Sequence, residues 1–540
     1  MWVHELSSRR SILKSSSFES IEYCVCRRTC HIYSMSLITD ILLTDIYSLI
    51  SNLGKDGGAI SASVYDTAQV MRFYPPQQGI WSAVEWLLEQ QKADGGWGDT
   101  STPLARDVPT LASVVALYTY GNRKATLDAV QKGLAFLRRQ VEQWNLQLSD
   151  ALPVGIELLL PWLLDEAAAV GLELPKGSYA TLIELGKQHH LLISQMRLSA
   201  GTPATHSWEA WGTDPASILI DGSGGVGHSP AATAAWLRAT VGHTNLTDIR
   251  EAAQIYLVQA AAATGEDIPG VVPTAWPITR FEQAFVLYIL LIAGLLECPQ
   301  LQNALRPQII SLAQALRPGG LGVSDFFIPD GDDTAAGVAV LLATGHQVEL
   351  TTLSQFKDDN YFFAYFGELQ HSLSLSARAT HVLALFGSDV TRLQRFLIER
   401  QCLDGRWPAD KWHSSWLYTT LHVVLALQNS GEKLAMKLTI EAILAYQHVD
   451  GGWGQEGKST TAETAYGVLA LRVLRDYGFY TQGISDALRK AYQWLLRNYR
   501  PFSVGEEKYW MAKELYRPFR IERAFELSAM LTLALEEHSQ

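Results

Sequence analysis

Apolar side chains recur at intervals of three and four residues through most of the chain, which is the spacing of an amphipathic helix. The clearest periodic segments are residues 81–91, 127–144, 377–386 and 417–428. Strict alternation of apolar and polar residues, typical of a half-buried strand, is rare. Glycine and proline fall mostly between the periodic segments, where they end helices. The pattern therefore predicts an all-α protein.

A short motif repeats along the chain at the ends of such helices. Residues 90–98 read Gln-Gln-Lys-Ala-Asp-Gly-Gly-Trp-Gly, residues 446–454 repeat the pattern, and residues 401–407 carry a degenerate copy. The glycines allow a tight turn after a helix C-terminus. We expect the Trp to pack back on that helix and the Gln to cap neighbouring backbone. Copies near both ends predict two domains of helical hairpins, arranged as rings or barrels.

Length and composition fit a large helical protein. The 540 residues allow two or three domains, and 48% of them are hydrophobic. The longest apolar run, residues 284–296, is shorter than the roughly 20 residues that cross a bilayer, so we expect a buried helix and no transmembrane segment. The net charge of −12 argues against nucleic-acid binding, which needs basic patches.

Residues 1–34 differ from the rest and are rich in Ser, Arg and Cys. They lack the continuous apolar stretch of a secretory signal, so we interpret them as a disordered extension or a mis-assigned start. The five cysteines show no disulfide framework, because three crowd this segment and Cys298 and Cys402 are isolated. This usage predicts a reducing compartment and a cytoplasmic location.

Residues 329–335 read Pro-Asp-Gly-Asp-Asp-Thr-Ala and place three carboxylates within four positions. Like charges at contact range cannot all ionise at neutral pH, so one carboxyl keeps its proton. Such an acid could protonate a carbon–carbon double bond, which is a very weak base. An Asp-rich turn or a calcium loop is the alternative. An EF-hand loop would need Glu eleven positions after Asp330, where Leu341 stands.

With this acid motif and the Gln/Gly/Trp turns, the chain resembles the class II terpene cyclases. The Asp330–Ala335 run resembles their Asp-x-Asp-Asp motif. Further segments resemble the diterpene branch, the copalyl diphosphate synthase type, in its bacterial form. These segments occur in the family's order over about residues 60–530: Ser-Val-Tyr-Asp-Thr-Ala at 63–68, Leu-Pro-Val-Gly-Ile-Glu at 152–157, Thr-His-Ser-Trp-Glu at 205–209, His-Ser-Pro-Ala-Ala-Thr-Ala at 228–234, and Gly-Val-Val-Pro-Thr-Ala-Trp-Pro at 270–277.

The resemblance implies two α-helical barrels, called β and γ, with γ inserted into β and the pocket between them. It places the first part of β at 35–75, γ at 76–297 and the main part of β, with the acid motif, at 298–540. It implies no third, class I α domain. An Asp-Asp-x-x-Asp metal motif for ionising a diphosphate is also missing, because residues 358–362 read Asp-Asp-Asn-Tyr-Phe. The substrate's diphosphate should therefore survive.

The resemblance also implies roles for individual residues. Asp332 matches the family's general acid, and Asp330 and Asp333 would orient it, raise its pKa by repulsion and reload its proton. His206 matches a histidine that holds the water taking the final proton in plant relatives. Thr274 stands where those relatives have Asn. Carbocations need the faces of aromatic rings, and the weak candidates are Trp276, Tyr361, Phe362, Phe363, Phe366 and Trp416.

The diphosphate needs cations. Basic residues near family-like segments could bind it directly; they are Lys187, Arg197, Lys411 and Lys513. Family members carry an acidic segment thought to bind Mg²⁺, but here residues 144–150 contain one acid. Asp150 and Glu157 are candidate metal ligands.

We therefore expect a cyclase of geranylgeranyl diphosphate that makes a bicyclic labdane-, halimane- or clerodane-type diphosphate, with a class I terpene synthase as a possible downstream partner. A drimenyl-type cyclase of farnesyl diphosphate is the nearest alternative, because pocket depth is not visible in the sequence. A triterpene cyclase would leave the diterpene-type segments unexplained. A helical-barrel binding protein or prenyltransferase subunit is the alternative of another class, although it would not need the aspartate cluster.

Overall fold

The structure is a computed structural model that describes residues 37–121, 123–145, 152–365, 368, 371–479, 481–503 and 505–537. Residues 1–34, interpreted above as an extension, lie outside the described residues. The prediction of an all-α fold is confirmed. Within the described ranges, the only paired strands form one short antiparallel hairpin, β1 (Trp510–Met511) and β2 (Leu515–Tyr516).

The first half of the chain forms a ring of inner helices with a second layer outside it. The inner helices are α2 (Val64–Phe73), α4 (Asp107–Thr119), α6 (Ile156–Ala169), α8 (Trp208–Trp211) and α9 (Pro230–Ala239), and α9 packs back on α2 to close the ring. The outer helices are α3 (Ile80–Glu89), α5 (Lys124–Gln140), α7 (Ala180–Gln195) and α10 (Thr247–Ala262).

The second ring contains six inner helices, each packed on the next. They are α11 (Thr279–Ile292), α13 (Gly331–Ala343), α14 (Leu373–Leu385), α16 (Trp416–Leu427), α18 (Thr461–Asp476) and α20 (Phe519–Glu537), and α20 packs on α11. The outer helices are α1 (Leu37–Ser51), α12 (Gln302–Ala315), α15 (Thr391–Ile398), α17 (Lys433–Ala445) and α19 (Gln482–Asn498). Inner helices are apolar on nearly every face because they are covered on both sides.

The two rings meet where the chain crosses between them. Ala62 pairs with Pro273 in an isolated bridge, so both crossings lie side by side. Consequently α2 belongs to the first ring and α11 to the second. The crossings at Ala62 and Pro273 differ from the predicted boundaries after residues 75 and 297, which had placed α2 in β and α11 in γ. Helical periodicity alone does not show which ring a helix joins.

The Gln/Gly/Trp turns are built as the repeat predicted. In the first copy the Trp97 indole N–H donates to the Leu87 carbonyl of the preceding outer helix at 2.7 Å. The Gln91 amide donates to Gly95 and, at 2.9 Å, to Ala129 of the next outer helix. Equivalent bonds join Trp407 and Gln401 to their outer helices, and Trp453 and Gln447 to theirs. Each turn therefore ties two outer helices together.

The hairpin β1–β2 lies between the rings and contacts both. Ala512 accepts a hydrogen bond from the Val154 amide of the first ring, and Met511 donates to Trp412 of the second. Glu514 accepts from the amide of Tyr65 at the start of α2. No helix in the described part of the chain combines the length and apolar character needed to cross a membrane.

Candidate active site

The acid motif forms the first turn of α13. Asp330 is the helix N-cap, and its Oδ1 accepts a hydrogen bond from the Asp333 amide at 2.8 Å. The Asp330 amide donates to the Leu321 carbonyl at 2.9 Å. An Asp at the N-cap and further acids in the first turn satisfy orphan amides and suit the helix dipole. The motif therefore has a local structural basis in addition to any chemistry.

Asp330 and Asp333 are deeply buried and share an environment that favours a proton. Burial raises the pKa of Asp330 to about 7. The pKa of Asp333 is raised well above its usual range, first by burial and then by the charge and hydrogen bond of Asp330. One oxygen of each carboxyl has no hydrogen-bond partner within the described residues. The pair therefore keeps one proton at neutral pH, and Asp333 holds it.

Asp332, the third acid of the motif, retains 16% exposure of its side chain. Burial raises its pKa to about 6; the charge of Arg378 opposes that rise, and the charges of Asp410 and Glu368 add to it. We had expected repulsion within the motif to be the cause. The larger cause is burial, and the charge of Asp332 in turn raises the pKa of Asp330 and of Asp333.

Arg378, on α14, is the residue that the sequence analysis missed. Its guanidinium is 1% exposed, forms an ion pair with Asp332, and donates to the Tyr418 hydroxyl at 2.7 Å and to His422 Nε2 at 3.2 Å. Its Cζ also lies 4.5 Å from the centroid of the Phe285 ring. An interior Arg in an amphipathic pattern gives no signal that identifies its partner, so contact in space was needed to find it.

Aromatic side chains from several inner helices pack around Arg378. Tyr288 lies 5.6 Å from its Cζ, and the ring of Tyr418 lies 5.3 Å from that of Trp510 in β1. Phe285 is also 5.4 Å from Trp510, in an edge-on arrangement. The faces of such rings carry negative potential and stabilise cations.

The described aromatic residues named from the sequence are not among the rings packed on the Arg378 guanidinium. Trp276 packs on Tyr256 and donates to the Asp56 carbonyl. Trp416 packs on Tyr446 of the outer layer. Tyr361, Phe362 and Phe363 follow one another in the segment before α14, where the Phe362 amide donates to Ser376 of that helix. Phe366 lies outside the described residues.

His206 and the segment of chain that contains Thr274 both contact the backbone at Gly227 and His228 in the first ring. His206 Nδ1 lies 2.9 Å from the Gly227 carbonyl, so Nδ1 carries the hydrogen and Nε2 is left as an acceptor. Burial, aided by the charge of Lys513, lowers the pKa of His206 to about 3. The next carbonyl, of His228, accepts from the Trp276 amide, two residues after Thr274. The Thr274 hydroxyl is fully buried without a hydrogen-bond partner in the described residues.

Lys513, in the turn of the hairpin, is fully buried among acidic groups. Its Nζ lies 2.8 Å from Glu209, 3.2 Å from Asp66 and 2.6 Å from the Ser229 hydroxyl. All three protons of the ammonium group are therefore engaged. This arrangement disfavours the predicted contact with a diphosphate.

The other predicted diphosphate ligands are not brought together. Lys411 pairs with Glu368 at 2.8 Å, beside Asp332. A diphosphate there would compete with Glu368 for the ammonium group and would lie close to the carboxylate of Asp332. Lys187 is exposed and pairs with Glu184, and Arg197 is exposed beyond the end of α7.

The predicted metal ligands do not form a metal site in the described residues. Glu157 contacts His189 Nδ1 at 2.5 Å, and Asp150 lies outside the described residues. No group of three or more His, Cys, Asp or Glu residues within the described ranges could hold a metal ion. The residues that the structure describes therefore offer no ready-made site for Mg²⁺.

Comparisons with known proteins agree with this architecture. Residues 363–537 match the squalene-hopene cyclase C-terminal domain. The chain is 51% identical over 518 residues to a (+)-kolavenyl diphosphate synthase of Herpetosiphon aurantiacus, covering 93% of this chain and 99% of the relative. It is 31% identical to an ent-copalyl diphosphate synthase of a Streptomyces species, covering 86% of this chain and 91% of that one. The solved ent-copalyl diphosphate synthase of Streptomyces platensis superposes with a TM-score of 0.73 at 27% identity, covering 91% and 99% of the two chains.

Proposed function

Because this chain belongs to the class II diterpene cyclases, we propose that it protonates the terminal alkene of geranylgeranyl diphosphate and cyclises it to a bicyclic diterpenyl diphosphate. The observation that carries the proposal is a partly exposed, mostly buried Asp332 paired with a buried Arg378 inside a ring of aromatic side chains. The 51% identical relative suggests (+)-kolavenyl diphosphate as the first product to compare.

Asp332 is the general acid of the proposal. Its Oδ–H bond breaks as the proton joins the terminal alkene, and the alkene's electron pair forms the new C–H bond. Burial raises the pKa of Asp332 to about 6, so the proton is present at mildly acidic pH. Delivery also requires that the alkene be held against the oxygen before reaction, which is an effect of orientation. Asp330 caps the start of α13, and the buried pair of Asp330 and Asp333 holds a further proton near Asp332.

Arg378 stabilises the carboxylate that remains after proton transfer. A guanidinium in contact with the conjugate base makes Asp332 a stronger acid than burial alone would allow. It also occupies a carboxylate oxygen that could otherwise capture the new carbocation. The aromatic rings around Arg378 are the nearest neutral groups able to stabilise positive charge without being alkylated.

Termination is assigned to His206 and Thr274 acting through a water. The neutral imidazole of His206 offers Nε2 as an acceptor, and the buried hydroxyl of Thr274 has no partner among the described residues, beside the same segment. A buried water with such partners is common in proteins. The water takes the proton lost from the cyclised cation, so the overall reaction is an isomerisation. Atoms are neither gained nor lost.

The diphosphate stays on the product, because protonation starts at the other end of the chain. Mg²⁺ enters the proposal only as a counter-ion carried by the diphosphate, since the described residues offer no group of three ligands. A product that keeps its diphosphate is a substrate for an enzyme that ionises diphosphates. A class I terpene synthase is therefore the proposed downstream partner.

Incubation of the purified protein with geranylgeranyl and farnesyl diphosphates tests the proposal, with products dephosphorylated and identified by mass spectrometry. We expect cyclised C20 alcohols and no release of pyrophosphate in proportion to product. Conversion of farnesyl diphosphate alone would indicate the drimenyl-type reaction. Binding of both diphosphates without conversion would indicate a binding protein.

A further inference from the structure

A buried chain of three polar side chains crosses from the first ring to the second. His228 Nδ1 lies 3.0 Å from Asp221 Oδ2, a close contact that lacks hydrogen-bond geometry, and both side chains are 2% exposed. His228 Nε2 lies 2.6 Å from the hydroxyl of Ser324. Asp221 and His228 precede α9 in the first ring, whereas Ser324 belongs to the segment that leads into α13. We call these three residues the interdomain bridge.

The residue types match a hydrolytic Ser-His-Asp triad, but the surroundings exclude that role. Ser324 is 3% exposed and its oxygen already accepts the Phe326 amide at 3.0 Å, so the hydroxyl cannot reach a substrate. A triad is recognised by its geometry and access, not by residue types alone. The bridge therefore needs another explanation.

His228 is held in a backbone conformation that costs energy. Its φ is +56°, in the left-handed region that non-glycine residues rarely adopt, and its side chain is almost fully buried. Such strain persists only where the surroundings impose it, and it points to a functional constraint. The conformation directs the imidazole to Ser324 while the His228 carbonyl accepts the Trp276 amide at 3.0 Å.

One end of the bridge lies near the proposed terminal base, and the other end lies near the acid motif. On the first ring, the carbonyls of Gly227 and His228 hold His206 and the segment containing Thr274. On the second ring, Ser324 lies six residues before Asp330 in a segment fixed at Leu321, whose carbonyl accepts the Asp330 amide.

Phe327 lies between these two ends. Its ring is 4.9 Å from that of His228 and 6.0 Å from that of Tyr365. The pKa of Tyr365 is raised first by burial and then by the charges of Asp330 and Asp333, so Tyr365 lies beside the acid motif.

We propose that the interdomain bridge is a positioning device that fixes the terminal base on the first ring relative to the acid on the second, and so decides where the cyclised cation loses its proton. The proposal rests on the proposed function, because it acts through His206 and Thr274. A bicyclic cation offers several carbons that can lose a proton, and their distances from a fixed base differ by only an ångström or two. Rigid placement of the base across the two rings therefore selects one product.

His228→Asn and Ser324→Ala test the bridge from its two sides. Asn tolerates the left-handed conformation, so the backbone is kept, but its side chain is too short to reach Ser324. The measurement is the ratio of the main product to all other diphosphates made from geranylgeranyl diphosphate, beside total turnover. We expect this ratio to fall by about threefold to tenfold in each variant, the effect of one lost hydrogen bond, with no further fall in the double variant. Ser113→Ala, which removes a buried hydroxyl bonded to Pro109 within the first ring, is the matched control and should leave the ratio unchanged.

His206→Phe separates this inference from the proposed function. If His206→Phe changes the product and both bridge variants keep the wild-type ratio, the inference is overturned and the base assignment stands. If the bridge variants change the product and His206→Phe does not, the bridge does not act through the base, and the inference fails as well. Thermal unfolding of the single and double variants shows whether His228 and Ser324 are coupled; additive losses of stability would contradict the bridge. If His228→Asn does not fold, Ser324→Ala carries the test alone.

Discussion

Two helices in different rings share an Asp-Thr-Ala at the same place in their first turn and carry different chemistry. Helix α2 starts Ser-Val-Tyr-Asp-Thr-Ala at residues 63–68, and α13 starts Asp-Gly-Asp-Asp-Thr-Ala at residues 330–335. Both are capped by the first residue, which accepts the amide of the fourth. In both, the Thr hydroxyl accepts a backbone amide from another segment. For α2 this amide is that of Val272, where the chain returns toward the second ring, and for α13 it is that of Leu321, in the turn before the helix. The helix start is thus a shared structural unit.

The difference lies in how the carboxylates are compensated. Asp66 of α2 shares the ammonium group of Lys513 with Glu209 in a site with no exposure, and the position of Asp332 is occupied by Tyr65, whose hydroxyl bonds to Glu209. In α13 an Asp stands there instead. It forms an ion pair with Arg378, with the Lys411–Glu368 pair beside it, and keeps 16% exposure. A closed network of charges stabilises a fold, whereas an acid with a single partner and partial access can exchange its proton.

Asp332→Asn should cause the largest effect on catalysis. The amide is nearly isosteric but carries no transferable proton. Turnover should therefore fall by about a hundredfold to ten-thousandfold. The unfolding transition should barely move. The one charge that loses its partner is Arg378, and its guanidinium keeps the Tyr418 hydroxyl and His422 as hydrogen-bond acceptors. The matched variant in the other ring, Asp66→Asn, should lower stability and leave the product unchanged. Near-normal turnover of Asp332→Asn, measured by product mass spectrometry, would remove Asp332 as the acid.

Lys513→Met should cause the largest effect on folding. Removing the cation leaves Asp66 and Glu209 buried without compensation, a change that typically costs about 3–5 kcal/mol. The free energy of unfolding from urea titration measures this loss. Had Lys513 instead served as a diphosphate ligand, the variant would keep wild-type stability and show a raised KM.

The helical nature of the chain, its repeat and the acid motif could be predicted from sequence because each rests on local rules. Periodicity marks helices, glycine with Trp marks the turns, and crowded aspartates mark an unusual site. Two further turns of the same design were missed. At Val226 and Leu321 the turn amide bonds to a Thr of the next inner helix, as Trp97 does to Thr110, but the Trp is absent. Without the large side chain, a pair of glycines is too weak a signal.

The charge partners could not be predicted, because they depend on which helices meet. Lys513 is 447 residues from Asp66 along the chain, and Arg378 is 46 residues from Asp332. In the sequence, Lys513 and Arg378 each stand among residues that give no indication of an acidic partner. Only the closure of the rings and the insertion of the hairpin bring the opposite charges together. The same holds for the bridge between His228 and Ser324, which lie 96 residues apart along the chain.

Arg378→Met should reduce turnover less than Asp332→Asn does, and should shift its pH dependence. The acid acts when protonated, so activity should fall as pH rises through the pKa of Asp332, about 6 in the wild type. Arg378 lowers that pKa, so without it the fall should move upward by about one to two pH units. The maximal rate should drop, because a weaker acid protonates the alkene more slowly. In the control Arg520→Met, which breaks the pair with Glu282 in the second ring, stability should fall while the pH profile stays in place.

His206→Phe should have the smallest effect on rate and a clear effect on the product. Protonation at Asp332 is untouched, so substrate is consumed at a rate near that of the wild type. The cyclised cation then lives longer, because no ordered water takes its proton.

Hydride and methyl shifts can proceed further in that variant, or water can add to give a hydroxylated diphosphate. Thr274→Val is the paired variant: it removes the unpartnered hydroxyl but keeps the shape of the side chain. If both groups hold one water, the two variants should give overlapping product mixtures, and the double variant should resemble either single one. Unchanged products in both variants would mean that the proton is lost at another site. The first ring would then contribute a closed charge network to the fold but no group to the chemistry, and the acid of the second ring would be the one catalytic group of the two helix starts.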